Sequence, residues 1–231
     1  TPTLTIKTLN ELYWILGDMT FAERATILGM VNSPNNRNIR MTKRLAEINI
    51  VNGEWNAARK FLRILQKTFV WHTWAEQLLN ALDHPEGEHQ GLLKAYQEKA
   101  NLTNLTDTIR LSDNSYTIMQ ELLESNAENH IALDYLLCSD LLLKDMDTFK
   151  RDYDQYCYRM ENPPYQTKLY QEALMIYLAG THAPQSEWQK YIHRNDLLER
   201  FLQYNEQRGS DAFTDTYWYY FDKAETPKLS K

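Results

Sequence analysis

The stretch from residue 37 to residue 70 constrains this chain most. Leu45, Ile48 and Val51 recur at helical spacing and stop at Asn52-Gly53. Trp55, Ala58, Leu62, Leu65 and Phe69 then follow at steps of three and four. Side chains three and four apart share one face of a helix, so each run predicts an apolar stripe. A glycine between them supplies the left-handed residue that ends a helix tightly. The expectation is two antiparallel helices with a short connection.

The rest of the chain carries the same signature. Seven Gly and seven Pro in 231 residues are about half the usual share. A sheet-rich fold needs many tight turns, and tight turns want those two residues. The hydrophobic share of 43% is enough for a core. Together these predict an all-α fold of stacked antiparallel helical hairpins. Capping boxes at Thr8 to Glu11 and Thr20 to Glu23 predict helices over 8–16 and 20–31. Further helices are expected over 71–82, 88–100, 115–125, 130–143, 147–160, 165–179 and 186–205. An aromatic end segment occupies 213–221. Residues 101–113 are rich in Asn and Thr, which compete for backbone hydrogen bonds. They read as an irregular linker between helical hairpins over 1–100 and over 114–231, unless the whole is one continuous solenoid.

An offset of 91 residues aligns Ala46 with Leu137, Gly53 with Lys144, Ala58 with Phe149, Leu62 with Tyr153 and Leu65 with Tyr156. The segment holding Leu45-Ala46, Gly53-Glu54-Trp55, Ala58, Leu62 and Leu65 resembles a tetratricopeptide repeat. In that motif a small residue in each helix allows close approach and larger ones fill the flanks. Leu137 and Phe149 replace the small residues, so the second hairpin is expected to splay or pack differently. The fold expected is therefore an irregular tetratricopeptide-like α-solenoid. Three runs, Arg44-Leu45-Ala46-Glu47-Ile48-Asn49, Tyr170-Gln171-Glu172-Ala173-Leu174 and Thr216-Tyr217-Trp218-Tyr219-Tyr220, resemble an uncharacterised Bacteroides family. That resemblance implies membrane segments at the N-terminus and a helical C-terminal domain outside the cytoplasm. On it, the chain belongs to the cell envelope, on the periplasmic side, and Thr1 marks where an upstream segment was removed. Contact with a membrane is then expected only through the missing segment.

Catalytic signatures are scarce. No Walker loop, His-Glu-x-x-His or Gly-x-Ser-x-Gly occurs, and seven glycines do not assemble a phosphate-cradling loop. His84, Glu86, Glu88 and His89 are the one cluster with metal-ligand chemistry, but i, i+5 spacing does not share a helix face. Cys138 and Cys157 both fall in helical runs, where a free Cys behaves as a small hydrophobe, although a single bridge stays open. A net charge of −6 gives no broad basic field for nucleic acid. The chain reads as a non-enzyme without cofactor or metal.

Tetratricopeptide grooves bind peptides on the inner face of each first helix. The resemblance carries that face onto Arg40, Lys43, Glu47, Ile50 and Val51, and in the second hairpin onto Ile131, Asp134, Cys138, Leu141 and Leu142. Arg40, Lys43, Glu47 and Asp134 are the candidate groove residues for a protein or peptide partner. Glu47 stands where carboxylate-clamping members use Asn, so that clamp is not expected. Tyr217, Trp218 and Tyr220 form a candidate aromatic patch, either a cap over the open end of the core or a docking surface. Six Trp and fifteen Tyr motivate an alternative, a carbohydrate-binding helical domain in the style of starch-binding outer-membrane lipoproteins, with a sugar ring on Trp218.

Overall fold

Helical periodicity is realised in both halves of the computed structural model, which describes residues 2–84, 86–87, 89–103, 114–161, 163–164 and 167–227. Among them are thirteen α-helices and no strand. The chain is all-α and divides into two compact units, Thr1–Ala132 and Leu133–Lys231. The linker expected over 101–113 lies largely outside the described residues. Its first part belongs to the first unit: Asn126 Nδ2 donates to the carbonyls of Asn101 at 2.9 Å and Thr103 at 3.1 Å. Asn129 Nδ2 donates to Leu16 O at 2.7 Å.

The first unit holds α1 (Pro2–Leu16), α2 (Met19–Val31), α3 (Ile39–Val51), α4 (Trp55–Gln66), α5 (His72–Asp83), α6 (Gly91–Ala100) and α7 (Ser115–Ser125). The caps differ from those expected. Helix α1 begins before Thr8, and α2 is capped by Asp18, whose side chain accepts from Phe21 N at 3.1 Å. Asp18 outcompetes Thr20 because Gly17 turns the chain one step earlier, at φ 81°. Helix α3 is apolar on two sides. Ala46 and Ile50 share a core with Ala58, Leu62 and Leu65 of α4 and with Ala75, Leu78 and Leu82 of α5. Ile48 and Val51 share another with Met19 and Ala22 of α2. Each fully buried Leu here is worth roughly 1.5–3 kcal/mol. Gly29 of α2 keeps room for Met41, since a Cβ there would sit 2.8 Å from its sulfur.

Ala46, Ala58, Leu62 and Leu65 are all fully buried, as the stripe requires. Its two outer members are not. Trp55 is exposed at the first turn of α4, and Phe69 lies beyond the last turn and is wholly exposed. The buried stripe of α4 thus runs from Ala58 to Leu65, about one turn shorter at each end than the spacing suggested.

The second unit holds most of α8 (His130–Leu142), then α9 (Met146–Tyr156), α10 (Lys168–Gly180), α11 (Gln185–Tyr191), α12 (Asn195–Glu206) and α13 (Tyr217–Lys223). The single helix expected over 186–205 is two. Buried Gln171 explains the break: its Nε2 donates to Tyr191 O and its Oε1 accepts from His193 N, both at 2.8 Å. One side-chain amide satisfies the backbone on either side of the corner.

One turn recurs. Gly53, at φ 73°, donates to Ile50 O, and Glu54 N donates back to Asn49 O at 2.8 Å. This is the pair of bonds that closes a helix through a left-handed residue. Lys144 (φ 58°) repeats it with Leu141 O and, through Asp145 N, Asp140 O at 3.0 Å. Gly17 repeats it with Trp14 O and, through Asp18 N, Tyr13 O; His182 (φ 52°) does so with Ala179 O and, through Ala183 N, Leu178 O. Four helices therefore end the same way, two of them on glycine.

Candidate functional site

Two places bring the predicted residues together, one in each unit. In the first unit α3 turns Arg40, Lys43, Arg44 and Glu47 toward one side, as i, i+3 and i+4 spacing dictates. Arg40 pairs with Glu11 of α1 at 2.8 Å. Arg44, which the groove pattern did not select, is the hub. It is buried, reaches Glu11 at 2.6 Å, Glu47 at 3.0 Å and Asn10 Oδ1 at 3.3 Å, and lies 4.3 Å from the centre of the Trp14 ring. Lys43 makes a close ion pair with Glu47 and sits 5.1 and 4.8 Å from the rings of Trp71 and Trp74. Lys99 of α6 donates to the carbonyls of Trp14 at 2.8 Å and Ile15 at 3.3 Å, completing the end of α1.

The electrostatics follow from this closure. Burial and the neighbouring Glu47 push the Tyr96 hydroxyl above its ordinary range. Burial and Arg44 push the Lys99 ammonium down. Burial works against the charge on Glu11, but Arg40 and Arg44 outweigh it and hold that carboxyl below its ordinary value. An exposed pair such as Arg40–Glu11 is worth about 0–1 kcal/mol. Removing one partner of buried Arg44 costs about 3–5 kcal/mol, because it strands a charge. The face is a structural seam in which Arg40, Lys43 and Arg44 are each already paired with a carboxylate, Glu11 or Glu47. Asp134 does not join it: it is exposed on α8, in the other unit, and accepts a close hydrogen bond from Tyr170. The signals that marked Arg40, Lys43 and Glu47 were local, whereas Glu11, Trp14 and Tyr96 arrive from distant helices.

In the second unit the aromatic run separates by depth. Trp218 is 1% exposed and packs with Met175, Phe201 and Phe213; its Nε1 donates to Glu172 O at 2.9 Å. No ring face is left to stack on a sugar. Tyr217 and Tyr220 stack at 5.7 Å and donate to the last carbonyls of α8, Leu141 O at 2.7 Å and Leu142 O at 3.2 Å. Lys144 returns the favour to α13, donating to Phe221 O at 2.7 Å and closely to Ala224 O. Between these elements lies a pocket of about 430 Å³, lined chiefly by Leu141, Leu142, Leu169, Tyr217 and Tyr220, with Cys138 at its wall. Asp215 at its edge is tied to Arg200 at 2.5 Å and Lys168 at 2.8 Å, which hold its carboxyl well below the carboxylate range.

Both cysteines are free thiols. Burial, then Asp134, raises Cys138, and burial pushes Cys157 up to about 12, so neither is a thiolate at neutral pH. Among the described residues no group of three or more His, Cys, Asp or Glu could hold a metal ion; Glu88 lies outside them. Nor is any helix among them long and apolar enough to cross a membrane.

The chain belongs to a family of unknown function (DUF6057), whose family model matches residues 1–224. No curated protein and no solved structure matches it.

Proposed function

We propose that this chain is a non-catalytic protein-interaction module of tetratricopeptide-like form, working at a cell envelope and holding a peptide by an apolar anchor. The pocket between α8, α10 and α13 carries the reading. Its size suits one or two side chains, its lining is aliphatic and aromatic, and both of its tyrosine hydroxyls are already committed to backbone carbonyls. Such a pocket rewards an apolar residue and offers no group poised for acid–base or nucleophilic chemistry. The tetratricopeptide-like form is supported by the recurring turn. Gly17 and Gly53 stand 36 residues apart, Lys144 and His182 stand 38 apart, and that motif repeats at about 34. The envelope location rests on the Bacteroides resemblance of the Arg44–Asn49, Tyr170–Leu174 and Thr216–Tyr220 runs.

Selection of displayed random peptides on the 231-residue chain tests the proposal. The expected outcome is a set of peptides sharing one large apolar residue. Leu142 is exposed at the pocket mouth, so Leu142→Asp should leave helicity intact and weaken those peptides roughly tenfold or more. Peptides that bind Leu142→Asp as tightly as wild type would remove this pocket from the account.

A further inference from the structure

Helix α4 and the turn after it carry a surface that the peptide pocket does not use. The chain has a net charge of −6, yet no acidic residue occurs between Glu54 and Glu76, while Arg59, Lys60, Arg63 and Lys67 all do. Arg59 is paired with Asp83 at 2.8 Å. Lys60, Arg63 and Lys67 are exposed and have no ion pair among the described residues. They stand at i, i+3 and i+7, one stripe of the helix, and Ile64, 54% exposed, stands among them at i+4. Just past the helix end Phe69 is fully exposed and Val70 is 72% exposed.

The apolar tip is held in place. Thr68 Oγ1 donates to Leu65 O at 2.7 Å and accepts from Trp71 N at 3.2 Å. Trp71 turns back against Trp74, with ring centres 5.8 Å apart. The two residues between these anchors, Phe69 and Val70, are thereby directed outward.

From this juxtaposition we propose that the α4 stripe and the Phe69-Val70 tip form a docking surface for an anionic phospholipid bilayer. The charge complementarity is local and opposite in sign to the chain as a whole. Lysine and arginine stems lie along apolar surface while their heads reach phosphates. Each such cation near an anionic leaflet gives about a fivefold gain in binding. The tip supplies the second signal that stable interfacial contact needs. Nucleic acid would reward the cations but not aliphatic Ile64 and Val70, which stack on nothing. The surface lies in the first unit and stands or falls independently of the pocket in the second.

Vesicle flotation with the 231-residue chain tests it. Vesicles of phosphatidylcholine mixed with phosphatidylglycerol should carry the protein, more weakly as salt rises, and vesicles of phosphatidylcholine alone should not. The triple variant Lys60→Gln, Arg63→Gln, Lys67→Gln should lose roughly a hundredfold in affinity and most of the salt dependence. The pair Phe69→Ser, Val70→Ser should lose roughly tenfold or more at unchanged helicity. Failure to float with anionic vesicles, or flotation that neither variant weakens, would overturn the proposal. So would a wild-type dimer in sedimentation that the Phe69→Ser, Val70→Ser pair dissolves, because a second copy would then be the occupant.

Discussion

The hairpin of α3 and α4 and the turn joining α8 to α9 share a backbone and differ in what fills it. Gly53 and Lys144 make the same two reverse hydrogen bonds at the same left-handed corner, 91 residues apart. At the flanking positions the first has Ala46 and Ala58 and the second Leu137 and Phe149, and all four are fully buried. Register is thus set by the turn and by the periodicity of the helices. Volume is set by the neighbours. In the first unit α5 brings Ala75 and Leu78 against small residues. In the second α10 and α11 bring tyrosines: Phe149 lies 6.2 Å from Tyr170, and Tyr153 lies 6.4 Å from both Tyr170 and Tyr191.

The largest effect should come from emptying the second filling. Phe149→Ala removes a fully buried ring and should cost about 3–5 kcal/mol in urea unfolding. A cost near zero would mean that the tyrosine cluster stands without it.

A smaller effect separates the two turns chemically. Where the first has Asn49, donating to Leu45 O at 2.7 Å, the second has Asp140, buried, with Oδ2 lacking a hydrogen-bond partner among the described residues. Burial, with Asp152 and Asp145 nearby, pushes its pKa up to about 7. Native Asp140 therefore keeps a proton that the unfolded chain has released, so this group's contribution to stability falls as pH rises from about 4 to about 7. Asp140→Asn copies the first turn. It should stabilise by about 1–3 kcal/mol at pH 8 and by less at pH 5, measured by unfolding at both values. An equal gain at the two values would contradict the assignment.

The smallest effects probe the corner itself. Gly53→Ala places a Cβ at φ 73° and should cost about 1 kcal/mol. His182→Gly relieves the same conformation at an exposed residue, and after the entropy that glycine adds it should gain about 0.5 kcal/mol in thermal unfolding.

What the sequence made legible was local. The apolar steps around Ala58, Leu62 and Leu65, the stop at Gly53 and the break near Lys144 all follow from spacing within one or two turns. Thr20 misled because Asp18, two residues earlier, caps just as well once Gly17 has turned the chain. The corner at residues 192–194 was hidden because Gln171, twenty residues away, satisfies its backbone. The predicted groove residues split for the same reason. Arg40, Lys43 and Glu47 share a helix face, but that this face is closed depends on Glu11, Trp14, Tyr96 and Lys99, which no pattern within α3 announces. The run of aromatics left open whether Trp218 caps the core or docks a partner, and its burial comes from Phe201 and Met175 on other helices.

The nesting of α3 and α4 at their alanines is tested most directly by the urea unfolding curve of Ala58→Arg. The structure predicts a loss of about 3–5 kcal/mol, since a charged side chain would have to enter a space where Ala58 is wholly buried. A curve superimposable on that of wild type would show that residue 58 faces water and that the hairpin is assembled in another register.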